Sequence, residues 1–133
     1  MINAVIDTNV LISAALSPKG VPAKIIECIA DQEEARVFYA PKIFDEYKRV
    51  LSYERLKIDD EMKSRTLNLI KKIGTVIEPV ASVIPLSDET DRVFYDTAQA
   101  SGAILITGNI KHFPAEPFIM TPADYLAKIT KDG

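Results

Sequence analysis

Ile2-Asn3-Ala4-Val5-Ile6-Asp7-Thr8-Asn9-Val10-Leu11-Ile12-Ser13 decides how this chain folds. A short apolar run containing Val5 and Ile6 stops at a carboxylate, and a second apolar run starts directly after Asn9. That pattern predicts a buried strand ending at Asp7 and a helix following at once, with Thr8 or Asn9 as its N-cap. In an open α/β sheet the carboxyl ends of the strands and the helix N-termini converge on one edge, where ligands bind. A carboxylate closing a hydrophobic strand must be hydrogen-bonded, paired or bound to a metal, because an isolated charge there loses its hydration. Asp7 is therefore the first candidate functional residue.

Outward from this stretch, helix-like and strand-like segments alternate. The first helix runs to about Leu16, Ser17-Pro18-Lys19-Gly20 is a turn, and Val21-Pro22 opens a second helix with proline near its first position. Its apolar face holds Ile25, Ile26, Ile29 and Ala30, with Glu27, Asp31 and Glu34 elsewhere. Arg36-Val37-Phe38-Tyr39-Ala40 reads as a second strand, and Pro41 opens a third helix running to Leu51. In a parallel βαβ unit the start of that helix faces the same crevice as Asp7, so Glu46 can reach it. Spacing alone better favours the alternative, a solvated Glu46 paired with Lys42, Arg49 or Arg55. An amphipathic helix lies between Ile58 and Ile73, closed by Gly74, and Thr75-Val76-Ile77-Glu78-Pro79 reads as a third strand followed by a loop to Pro85. Lys63, Arg65, Lys71 and Lys72 form the most basic local run and read as a solvated face.

The second informative block is Ser87 to Gly102. Ser87, Thr90 and a carboxylate-rich first turn predict a helix start there, which accounts for Asp88 and Glu89 and only in part for Asp91. Asp96 is rotated by roughly 140° from Asp91 on that helix, so the two do not ligate one ion directly. Gly102 ends the helix, and Ala103-Ile104-Leu105-Ile106-Thr107 is a continuous apolar run of the kind parallel sheets bury on both faces. It delivers Thr107-Gly108-Asn109 to the same rim as Asp7. Pro117-Phe118-Ile119-Met120 reads as a short edge strand, and a last helix begins near Pro122. His112 is the only histidine and reads as a loop residue.

Composition narrows the function classes. The 133 residues fit one domain, 1–133, and 47% hydrophobic with 26% charged is ordinary for a globular protein. The single Cys28 excludes an internal disulfide and a cysteine-rich zinc site, suits a reducing cytoplasm, and reads as a buried small hydrophobe. No apolar run approaches the ~20 residues of a membrane span, and no signal peptide is recognisable. The net charge of −3 does not advertise nucleic-acid binding unless the acids gather in one site that a cation neutralises.

Asp7, Glu46, Asp91 and Asn109 assemble that site. Clustered carboxylates raise one another's pKa unless a cation compensates, and oxygen-only ligation suits hard ions such as Mg²⁺ or Mn²⁺. Carboxylate-held hard cations serve many nucleases, activating water and stabilising the leaving oxygen.

Val5 to Ala14, the acid Glu46 in the helix after strand two, Asp91 seven residues ahead of Ala98, and Ile106-Thr107-Gly108-Asn109 followed by His112-Phe113 together resemble the PIN-domain family. The nearest branch is similar to the VapC-like toxin components of prokaryotic toxin–antitoxin systems. The resemblance implies a three-layer α/β fold, with a central parallel sheet of about four to five strands flanked by helices. It also implies a cytoplasmic, Mg²⁺- or Mn²⁺-dependent endoribonuclease, a homodimer held inactive by a cognate antitoxin. Carried over, the catalytic and metal-binding acids are Asp7, Glu46 and Asp91, with Asn109 at a fourth position that is often Asp. Asn9 and Thr107 would hydrogen-bond the carboxylates, and Asp96 would act through a water or by orienting Arg92. The neutral Asn109 weakens a second ion site and keeps open a catalytically weak RNA-binding module as the alternative. A phospho-acceptor receiver or haloacid-dehalogenase-like phosphatase fits less well, since the latter wants an Asp where Asn9 stands.

Overall fold

The computed structural model describes residues 2–32 and 35–132; Glu34, read as part of the second helix, lies outside them. The chain runs β1 (Ala4–Ile6), α1 (Thr8–Leu16), α2 (Val21–Asp31), β2 (Val37–Tyr39), α3 (Pro41–Leu51), α4 (Asp60–Ile73) and β3 (Gly74–Val76). After a long loop come α5 (Arg92–Ser101), β4 (Ile104–Ile106), β5 (Ile119–Met120) and α6 (Pro122–Asp132). Short 3₁₀ turns occupy Glu54–Leu56, Glu89–Asp91 and Ile110–His112.

The five strands form one parallel sheet in the order β3-β2-β1-β4-β5, flanked by helices in the expected three-layer arrangement. Its centre is in register, with Ala4 opposite Ile104 and Ile6 opposite Ile106. Ala4, Val5, Ile6, Leu105 and Ile106 are fully buried, as strands covered on both faces must be. Ile25, Ile29, Ile43, Leu51 and Ile70 pack from the helices, each contributing roughly 1.5–3 kcal/mol by leaving water. From β1 the chain winds outward through β2 to β3, then returns to the other side of β1 as β4. The strand order therefore reverses between β1 and β4, and the crevice at such a reversal is where open α/β sheets bind ligands. Asp7 and Thr107 are the residues that follow these two strands.

Several boundaries differ from the sequence reading. The N-cap of α1 is Asp7 itself, which accepts the Thr8 N–H, so neither Thr8 nor Asn9 caps this helix. The helix expected from Ser87 begins at Arg92, because Asp88 instead caps the 3₁₀ turn by accepting both the N–H and the hydroxyl of Thr90. β3 starts earlier than expected, at Gly74, which also ends α4. A methyl at Gly74 would run into the Ile70 carbonyl and the Tyr39 ring, so the close approach of helix and strand requires glycine. Gly102 closes α5 in the left-handed region at φ +69°, as its position predicted. Cys28 is half-buried against the core rather than fully buried. Among the described residues no helix is long and apolar enough to cross a membrane.

Candidate active site

Asp7 is only 7% exposed, and both its oxygens are held. Oδ1 accepts the Thr8 N–H at 2.8 Å, and Oδ2 accepts the Thr107 hydroxyl at 2.7 Å from the end of β4. Thr107 Oγ1 in turn accepts the Asn109 N–H at 2.9 Å, so the turn carrying Asn109 is tied to Asp7 through one hydroxyl. Burial pushes the Asp7 carboxyl above its ordinary value, against the opposing pull of Thr107, Thr8 and His112.

Glu46 reaches the same rim from α3 through Thr8, whose hydroxyl donates to Glu46 Oε2. The other carboxylate oxygen lies 3.6 Å from the Arg49 guanidinium, so Glu46 also makes the helical ion pair that spacing suggested. Between them Tyr47, fully buried on α3, donates its hydroxyl to the Ile6 carbonyl and pins the helix to the tip of β1. Burial, then the charges of Asp7 and Glu46, push the Tyr47 phenol far up, so it stays a donor.

Asp91 sits where the 3₁₀ turn meets α5, and its side chain caps nothing. Its Oδ2 is buried without a hydrogen-bond partner, and His112 Nδ1 lies 3.7 Å from it. The Asp91 carboxyl is pushed up to about 6, first by burial, then by Asp7 and Asp88, with Glu46 adding and His112 opposing. Asp7 at the end of β1 and Glu46 on α3 thus add to the cost of ionising Asp91 at the start of α5.

Two sequence expectations need correction. Asn9 is exposed on α1 and makes no side-chain hydrogen bond among the described residues, because the capping and carboxylate-holding roles belong to Asp7 and Thr8. Asp96, expected to orient Arg92 or act through a water, is buried and makes no hydrogen bond to Arg92; one oxygen accepts the Ser82 N–H at 3.0 Å and the other has no partner. Arg92 donates to the Ser82 and Ile84 carbonyls at 2.9 and 2.8 Å, so Asp96 and Arg92 clamp the loop after β3. That loop, α3 and α5 bound a groove of about 910 Å³ whose walls include Lys42, Glu46, Arg49, Glu78, Arg92 and Asp96. Thr8 was read only as a possible helix cap and His112 as a loop residue; their contacts with Glu46 and Asp91 were not read from the sequence. Both contacts span long sequence separations, which no local spacing reveals.

Among the described residues no three His, Cys, Asp or Glu side chains stand close enough together to hold an ion as they are. The chemistry of the donors nevertheless suits a hard cation: they are carboxylate oxygens, and one oxygen of Asp91, whose ionisation Asp7 and Glu46 oppose, is buried and orphaned.

Known proteins resemble this chain in sequence and in fold. Residues 3–111 match the family model of the PIN domain. An uncharacterized protein of Methanocaldococcus jannaschii is 32% identical over 111 residues, covering 81% of this chain and 71% of its own. The fold is shared with the crystal structure of VapBC2 from Rickettsia felis bound to a DNA fragment from their promoter, at TM-score 0.61 and 18% identity over 90% of this chain and 96% of that one. PAE2754 from Pyrobaculum aerophilum superposes at TM-score 0.63 and 16% identity, covering 98% and 96%. PIN domains are generally nucleases that depend on divalent metal ions. The sheet order, the acids at its reversal and the match over 3–111 agree: this chain belongs to the PIN-domain family.

Proposed function

We propose that this chain is a Mg²⁺- or Mn²⁺-dependent endoribonuclease, the toxin of a toxin–antitoxin pair, with Asp7, Glu46 and Asp91 as its catalytic acids and Asn109 beside them. The observation that carries the reading is the unpartnered, buried oxygen of Asp91, held where Asp7 and Glu46 oppose its ionisation. A group so placed lowers its energy most by binding a cation. Bound there, the ion would supply an acidified water and neutralise charge on the phosphodiester. Asp7, oriented from two sides by Thr8 and Thr107, is the fixed donor of the set. Glu46 turns on its contacts with Thr8 and Arg49, and Thr107 holds the Asn109 backbone against the site. Lys42 and Arg49 line the groove beside Glu46, where they can take RNA phosphates. The fold shared with VapBC2 supports a cognate antitoxin and, with the family resemblance, a cytoplasmic homodimer.

The test is cleavage of single-stranded RNA by the purified chain with Mn²⁺, with Mg²⁺ and with EDTA. Cleavage should need the ion and disappear in Asp7→Asn and Asp91→Asn. Full activity in both variants would refute the assignment. The neutral Asn109, at a position where the family often has Asp, favours the second reading, an RNA-binding module of little activity. RNA affinity indifferent to EDTA, with no cleavage, would establish it.

A further inference from the structure

We propose that a second cavity, beside Asp91, receives one guanine base of the RNA, so that the chain cuts next to guanine; the inference rests on the nuclease reading above and names its substrate more closely. The cavity holds about 410 Å³, within the roughly 300–1,000 Å³ of small-ligand pockets. His112 is part of its wall, and His112 Nδ1 lies 3.7 Å from Asp91 Oδ2. Glu46 lines the larger groove instead, so the two cavities adjoin different acids of the rim. A strand whose phosphate meets those acids has the smaller cavity within reach of a neighbouring base.

The lining suits a base. Leu86, Phe113 and Pro114 give apolar wall for a flat ring, and the half-exposed His112 adds an aromatic face of the kind unstacked bases pack on. Lys111 and Glu116 supply one positive and one negative group. Guanine carries a carbonyl oxygen beside two adjacent N–H donors on its Watson–Crick edge, so an ammonium matches the first and a carboxylate the pair. Adenine and cytosine have one donor group on that edge, and uracil flanks its single N–H with carbonyls. Tyr95, buried on α5, donates its hydroxyl to Glu116 Oε1 at 3.3 Å, which leaves Oε2 without a hydrogen bond among the described residues. The walls are tied together: Arg92 donates to the Ile84 carbonyl at 2.8 Å, and the Ser87 hydroxyl to the His112 carbonyl at 3.4 Å. A cavity fixed in this way loses little ordering entropy when a base enters.

Two measurements on the full chain test this. The first maps cut sites, in Mn²⁺, on single-stranded RNA oligonucleotides that differ only in the base at one position. Cuts should fall next to guanine, and inosine in its place, which lacks the 2-amino group, should lower kcat/KM about tenfold. Glu116→Gln should bring cleavage at guanine down by a similar factor, toward the level at the other bases. The second titrates the wild type with 5′-GMP, AMP, CMP and UMP and follows the NMR signals of Phe113 and the His112 ring, a readout that needs neither cleavage nor a variant. GMP should bind most tightly and move those signals most. Cleavage without base preference, a guanine preference that survives Glu116→Gln, or GMP bound no more tightly than the others would each overturn the guanine pocket while leaving the nuclease reading intact. A chain that binds GMP here but cuts no RNA would overturn the nuclease reading and keep the pocket, and one that does neither would overturn both.

Discussion

β1 has two ends, and they are built differently. At the lower end every polar group named has a partner: Asn3 Oδ1 accepts the Arg36 N–H at 2.9 Å, the Asn3 carbonyl accepts the Ile104 N–H at 2.9 Å, and the buried Tyr125 hydroxyl donates to the Ile2 carbonyl. At the upper end another buried tyrosine, Tyr47, mirrors that last contact on Ile6, but beyond it Asp7 and Glu46 oppose the ionisation of Asp91, one of whose oxygens is left unpartnered. Arg92 is committed to Glu89 and to the Ser82 and Ile84 carbonyls, and Arg49 stands 3.6 Å from Glu46. The lower end is built for stability. At the upper end Arg49 pairs with Glu46, but one buried oxygen of Asp91 has no hydrogen-bond partner, at a cost in stability, as at sites that bind ions and substrates.

Substitutions that equalise the two ends test this contrast. The largest effect is expected at the satisfied end, where Tyr125→Ala should lower unfolding free energy by about 3–5 kcal/mol in urea titration, through lost packing and a stranded Ile2 carbonyl. At the open end Asp7→Asn should reduce RNA cleavage by about 100-fold or more, yet leave the melting temperature of the ion-free protein unchanged or higher. Thr107→Val removes the hydroxyl shared by Asp7 and Asn109, and should cost about 1–3 kcal/mol, visible as a lower urea midpoint at neutral pH.

The smallest and most diagnostic change is Asp91→Asn. The folded chain holds this carboxyl at about 6, above its ordinary 3.8, so folding favours the protonated form. The wild type should lose stability as pH rises from about 4 to about 6, and the variant should lose less, since only the raised Asp7 remains. The variant should therefore gain on the order of 1 kcal/mol at pH 8, a value discounted for partial exposure, and nothing at pH 4, as thermal melts at the two pH values will show. Adding Mn²⁺ at pH 8 should reverse the order, because only the wild type keeps the acid that an ion pairs with. A wild type more stable than the ion-free variant at pH 8 would mean that the upper end is paired after all.

Much of this site was legible because its main signals are local. An apolar run cut off by Asp7, another ending in Thr107-Gly108-Asn109, and Pro41 setting the start of α3 are each readable within a few residues. The misreadings share the opposite property. Asn9 and Asp96 were given supporting roles by proximity in sequence, yet one faces solvent and the other holds Ser82. The α5 boundary slipped because Ser87 and Asp88 carry the same capping chemistry, and only the geometry of the Thr90 turn assigns the 3₁₀ cap to Asp88.

By itself the sequence determined the alternation of strands and helices, the acids available to meet at one rim, and the PIN resemblance, because hydrophobic period and capping chemistry act over a few neighbouring residues. Only the tertiary structure decided that Thr8 bridges Asp7's helix to Glu46, that Arg92 serves a loop, and that His112 faces Asp91. Those pairings join residues up to 38 positions apart, and such contacts follow from how the sheet and helices pack around the β1–β4 reversal.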